Sequence, residues 1–202
     1  VQDKQRTLES DEQHLYRVLR SDRFLRMEGL SNEIPFFIYH YPPENELPVR
    51  EIRDRVTTKL QTEDGLRIAN INMYDLAVDL LRKRGVWDRL AEFELQEDKR
   101  EFREGLQNML EPKAHLAPAI RSILAETPSD MVFLAGLGEV WPYIRTHTVL
   151  ENLQSVVTEQ PLLLWFPGRY AFSQATGHEL RPLNLSASDS YYRAKDIMEQ
   201  EA

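Results

Sequence analysis

Three short apolar runs and one alternating segment constrain this 202-residue chain more than anything else in it. The runs are Ile34-Pro35-Phe36-Phe37-Ile38-Tyr39, Asp130-Met131-Val132-Phe133-Leu134-Ala135 and Pro161-Leu162-Leu163-Leu164-Trp165-Phe166. Residues 66–73 alternate apolar and polar. Runs this short and this apolar fit strands buried on both faces, which means a sheet covered by helices on each side. The intervening sequence supplies them. Leu8, Leu15, Val18, Leu19 and Leu25 recur at helical spacing, with Ser21-Asp22 as a break capped by good N-cap residues. Val49, Ile52, Val56 and Leu60 form one stripe of a helix entered at Pro48. Residues 75–84 and 144–157 read as further helices, and residues 86–126 as two or three more, punctuated by Pro112 and Pro118. Tyr41-Pro42-Pro43-Glu44 reads as a loop, Pro167-Gly168 as a turn out of the fourth strand, and residues 191–200 as a closing helix.

Strands alternating with helices imply an α/β fold with a mostly parallel sheet of about four or five strands and helices on both faces. One domain over residues 1–202 is expected, with an N-terminal helical extension (about 1–28) and an inserted helical region (about 86–126). There is no cysteine, which removes disulfides, thiolate metal sites and thiol catalysis. No apolar run approaches the roughly 20 residues of a membrane span. The first ten residues are polar and unlike a secretory signal, so the expected location is cytoplasmic. A net charge of −8 repels phosphate backbones and argues against tight, autonomous nucleic-acid binding. Arg82, Lys83 and Arg84 are the densest basic cluster, at a helix end where cations complement the dipole.

Ligands in such folds sit beyond the carboxyl ends of the strands. Gly136 and Gly138 follow the third run, where glycine would let backbone N–H groups approach an anion, or simply form a tight turn. The third glycine of a dinucleotide fingerprint is missing, because Trp141 occupies its place, and no Walker-type phosphate loop occurs. Asp75 stands where a magnesium-linked carboxylate would, or where a helix simply opens beside Asn72. His14, His40, His115, His147 and His178 are scattered without metal-ligand spacing, and His147 lies one turn from Glu151. Arg145 and Arg169 follow strands beside Trp141, Tyr143, Tyr170, Phe172 and Gly168. Arginine with tyrosine anchors protein interfaces, and arginine also clamps carboxylates or phosphates. Trp141 and Tyr143 fit core positions equally well. No catalytic, metal or cofactor residues are assigned, and Gly136, Gly138, Trp141, Tyr143, Arg145, Gly168, Arg169 and Tyr170 are the candidate ligand or interface positions.

Four segments in order carry a resemblance: Gly29-Leu-Ser-Asn-Glu-Ile-Pro-Phe-Phe-Ile38, Gly136-Leu-Gly138 with Trp141-Pro-Tyr-Ile-Arg145, Phe166-Pro-Gly-Arg-Tyr170, and Tyr191-Tyr-Arg193. They resemble the BrxB family of BREX bacteriophage-defence systems over residues 25–194. The resemblance implies a non-catalytic core component of a multi-protein defence complex. It also fits a nucleotide-binding-like fold without a phosphate loop. The partners it implies are a PglZ-like subunit first, then a BrxC-like ATPase and a PglX-like methyltransferase, with DNA met only through the complex. The polar tail after Arg181-Pro182 departs from a family-like closing strand near Leu183. A homodimer is compatible with this reading. The rival reading is a nucleotide- or nucleic-acid-dependent enzyme using the Gly136–Arg145 loop and Asp75. A weaker third is a module that contacts DNA directly.

Overall fold

The computed structural model describes residues 7–28, 34–173, 177–185 and 194–202. Helices α1 (Leu8–Leu19) and α2 (Asp22–Leu25) lead into β1 (Phe36–Tyr41), α3 (Glu46–Thr62), β2 (Ile68–Asn72) and α4 (Met73–Lys83). Helices α5 (Leu90–Gln96), α6 (Lys99–Met109) and α7 (Ala117–Glu126) precede β3 (Met131–Ala135) and α8 (Thr146–Leu153). The chain closes with β4 (Leu162–Ser173), β5 (Gly177–Pro182) and β6 (Lys195–Asp196). Strand order is β2-β3-β4-β1-β6, every neighbouring pair parallel, with β5 antiparallel to the outer half of β4. The α/β class, the parallel sheet and the helices on both faces are as the sequence implies.

Period-two alternation explains why both faces are covered. Phe36, Ile38, Ile71, Val132, Leu134, Leu162, Leu164 and Phe166 join one core with residues of α4, α6, α7 and α8. Phe37, Tyr39, Ile68, Met131, Phe133, Leu163 and Trp165 join the other with Leu15, Val18 and Leu19 of α1 and Val49, Ile52, Val56 and Leu60 of α3. Leu162 to Phe166 are all at most 1% exposed, so neither face of the first half of β4 touches water. Each such side chain contributes roughly 1.5–3 kcal/mol of transfer free energy.

Ser21 breaks the N-terminal helix as its residue type implies: its hydroxyl caps α2 by accepting from the backbone of Phe24 at 3.3 Å. Four expectations need correction. Pro167-Gly168 does not end β4. The strand runs on to Ser173 because its outer half finds a second partner in β5, with Gly168 opposite Pro182. Residues 41–44 are not all loop: Tyr41 is the last β1 residue, opposite Pro167, and Pro43–Asn45 form a 3-10 turn. The closing helix is absent where it is described. Residues 191–193 lie outside the described residues, Lys195–Asp196 form β6, and Ile197–Glu199 make one 3-10 turn capped by Asp196. Pairing with Phe37 and Ile38 and complete burial of Ile197 outweigh local helix preference there. Helix α8 is also shorter than residues 144–157, because Ile144 belongs to the preceding buried loop. Leu183 is not a strand residue: with Asn184 it takes a positive φ (52° and 59°) and ends β5.

If β4 is the centre of the core, Leu164→Ala costs about 2–5 kcal/mol in urea denaturation. Leu95→Ala on α5, where the side chain is 88% exposed, changes stability by no more than about 0.5 kcal/mol.

Candidate functional site

The carboxyl ends of β1, β2 and β3 and the middle of β4 carry the segments that sequence singles out. After β2, Asn72 caps α4: its Oδ1 accepts from the backbone N–H groups of Tyr74 at 2.8 Å and Asp75 at 3.4 Å. Asp75 is exposed in the first turn, where its charge suits the helix dipole.

After β3 the loop folds onto the chain itself. Gly136 has φ +78°, and a Cβ there would lie 2.3 Å from Asn72 Oδ1. A Cβ on Gly138 would lie 2.7 Å from Pro167 Cγ and 3.2 Å from Leu183 Cδ2. Both glycines therefore serve close approach, one to the α4 cap and the other to the β4 hairpin. Leu137, Val140 and Ile144 are buried beneath the loop, and Tyr143 packs half-buried against the same core. Gln107 of α6 donates to the Pro142 carbonyl at 3.2 Å, tying the inserted helices to this loop. Glu139 accepts a hydrogen bond from Arg50 Nη2 of α3, and the same nitrogen donates to Glu46 Oε1 at 3.2 Å. Glu139 first, then Glu46, holds the Arg50 guanidinium pKa above its ordinary value. Arg50, which reaches this loop from α3, is thus already paired with two carboxylates.

Arg145 is exposed at the N-cap of α8, where its side chain makes no capping bond. His147, in the first turn, is half-buried. Burial pushes its pKa below the ordinary 6.5, Glu151 opposes that shift and Arg145 reinforces it.

A second cluster lies where β1 ends beside the middle of β4. A cleft of about 370 Å³ is lined by His40, Tyr41, Asn45, Gly168, Arg169 and Asn184, with Leu8, Asp11, Tyr39 and Pro42 completing it. His40 Nε2 is 3.3 Å from Asp196 Oδ2. The Tyr41 hydroxyl donates to Glu46 Oε2 at 2.8 Å, and burial raises its pKa far above the ordinary range. Tyr39 donates to Asp11 at 2.8 Å in full burial, so the N-terminal helix is bonded to the central sheet. Gly168 and Arg169 line this cleft, while Gly136, Gly138, Trp141, Tyr143 and Arg145 do not. Tyr170 is buried and its hydroxyl donates to the Ala194 carbonyl, which leaves its ring as core. Gly168 has φ +153°, and a Cβ would meet the Arg181 carbonyl at 2.2 Å.

Sequence reading reached His40 and the loop after β3 but missed the pairs His40–Asp196, Arg50–Glu139 and Tyr39–Asp11. Their members lie 156, 89 and 28 positions apart, and no local spacing links them. Among the described residues no group of three or more His, Asp or Glu side chains is arranged to hold a metal ion. No helix among them is long and apolar enough to cross a membrane.

Fold and strand ends together define an α/β protein with a mostly parallel sheet, helices on both faces and no phosphate-loop motif in its sequence. The chain belongs to the BrxB family: the family model described as BREX protein BrxB matches residues 69–197. It is 33% identical over 176 residues to BREX protein BrxB of Escherichia coli O9:H4 (strain HS), covering 87% of this chain and 84% of that protein. It is 30% identical over 178 residues to BREX protein BrxB of Bacillus cereus (strain H3081.97), covering 88% of this chain and 90% of that one. A comparison with solved structures gives no significant match.

Two outcomes follow from this geometry. Gly136→Ala places a methyl group on Asn72 at a left-handed φ and lowers stability by about 1–3 kcal/mol. Gly105→Ala on α6, with nothing within 4 Å, raises it by about 0.4–1 kcal/mol, both read by thermal denaturation. Folded His147 holds its proton less tightly than unfolded His147. Its contribution is therefore complete above 6.5 and is lost as pH falls below that value. His147→Gln flattens the pH dependence of denaturation in that window, above the range where carboxylates titrate.

Proposed function

We propose that this protein is a non-catalytic component of a BREX bacteriophage-defence complex, acting as a protein-protein adaptor with a PglZ-like subunit as its first partner. BrxC-like ATPase and PglX-like methyltransferase subunits are then met through the same assembly, and DNA only through them. Membership of the BrxB family supports the place in a BREX system. The observation that carries the non-catalytic part is how the loop after β3 is spent. Gly136 is filled by Asn72, Gly138 by Pro167 and Leu183, and Arg50 is neutralised by Glu139 and Glu46. A phosphate arriving there would meet carboxylates already holding Arg50 and glycines already in contact with protein.

Affinity-tagged full-length chain, co-expressed with the neighbouring BREX proteins, is expected to retain the PglZ-like subunit through washing at physiological salt. Its melting temperature is expected to stay unchanged with ATP and magnesium. Failure to retain any co-encoded BREX protein contradicts the proposal. So does a nucleotide-induced rise in melting temperature that Arg145→Ala abolishes, because a nucleotide-dependent enzyme requires it.

A further inference from the structure

The two edges of the sheet are treated differently. On one side β6 is two residues long and consists of a lysine and an aspartate, a short charged edge that resists pairing. On the other, β2 runs for five residues, Ile68–Asn72, with no charge and no proline, and pairs with β3 alone among the described residues. Its hydrogen-bonding sense follows from its neighbour. Val132 donates to the Pro161 carbonyl before β4, so the alternate residues Met131 and Phe133 turn their peptide groups towards β2. In the parallel register these meet Arg67, Ala69 and Ile71, which leaves the peptide groups of Ile68 and Asn70 facing outward.

That edge forms the floor of a groove of about 570 Å³ between α3 and α4. Arg53 and Thr57 of α3 line one wall, Asp75 and Asp79 of α4 the other, with Asp54 at the rim and Asn70 on the floor. The Thr57 hydroxyl oxygen is buried without a hydrogen-bond partner. One end of the edge is pinned: Asp130 accepts from the Arg67 backbone N–H and from its guanidinium, each at 2.7 Å. Three carboxylates face one guanidinium, and Arg53 Nε already lies 3.5 Å from Asp54.

We infer that the β2 edge takes up an extended, basic segment of a partner protein by strand addition. This rests on the adaptor reading above and names the surface it uses. Outward peptide groups at Ile68 and Asn70 supply backbone pairing, as in other strand-addition interfaces. The carboxylates of Asp54, Asp75 and Asp79 select lysine or arginine on the incoming strand. A second copy of this chain fits less well, because edge-to-edge pairing brings the same carboxylates against one another.

The test uses the full chain with its co-expressed BREX neighbours. Asn70→Pro removes the outward N–H, and Asp54→Lys with Asp79→Lys reverses two exposed charges without touching the strand. Each is expected to weaken partner binding at least about tenfold, and the Ile68 and Asn70 amides are expected to exchange more slowly in the complex. If Asn70→Pro does not fold, the charge-reversed variant and the exchange data give the answer. A wild-type chain that holds a BREX partner, matched by variants that hold it equally well, overturns the edge while the adaptor reading stands. A wild-type chain that holds no BREX protein removes both. A wild-type homodimer that Asn70→Pro dissociates assigns the edge to self-pairing and overturns the basic partner.

Discussion

Parallel pairing of the first half of β4 between β1 and β3, with both of its faces dry, is the constraint on which the rest of the molecule depends. A strand in that position can expose no side chain, so residues 162–166 must be apolar, and both flanking helical layers must be present to cover it. Leu162, Leu164 and Phe166 join the core shared with α4, α6, α7 and α8; Leu163 and Trp165 join the core shared with α1 and α3. Removing either layer would expose a line of leucine, tryptophan or phenylalanine. The N-terminal helix is thereby part of the covering of the sheet, held through Leu15, Val18 and Leu19 and through the buried Asp11–Tyr39 hydrogen bond.

The same sheet sets where chemistry could occur, and the chain uses those places largely for itself. In phosphate-binding loops, glycines after a strand leave backbone N–H groups open to the anion. Here the comparable glycines are pressed against Asn72, Pro167 and Leu183, and the hairpin after Gly168 continues β4 past the sheet. The His40–Asp196 pair and Arg169 give the β1–β4 cleft some polarity, yet Tyr41 and Tyr170 beside it are committed to Glu46 and Ala194. Among the described residues, β2 is an edge strand that pairs with β3 alone.

Much of the architecture was legible because strand burial and helix periodicity write themselves into local pattern. The four parallel strands β1 to β4, the Ser21 break and the stripe of Val49, Ile52, Val56 and Leu60 all follow from spacing alone. What escaped depended on distant partners. Gly168 read as a turn because Pro-Gly usually is one; only the Arg181 carbonyl pressed against it shows that it continues a strand. Lys195-Asp196 has no strand signature, and its pairing with Phe37 and Ile38 is decided by the burial of Ile197. The candidate residues divide in the same way. Trp141 and Tyr143 left core and interface open, and the structure makes Tyr143 a half-buried residue of the core edge. The ion pair that holds the loop, Arg50 with Glu139, joins positions on different elements, as does His40 with Asp196.

Phage plating in cells that lack their own copy separates a subunit that binds from one that catalyses. The chain carrying His40→Gln and Arg145→Gln together loses the imidazole and guanidinium available at the strand ends. An adaptor is expected to restore suppression of plaques to the level of the unaltered chain. Loss of suppression by a variant that still folds and still holds its BREX partners would contradict the non-catalytic role.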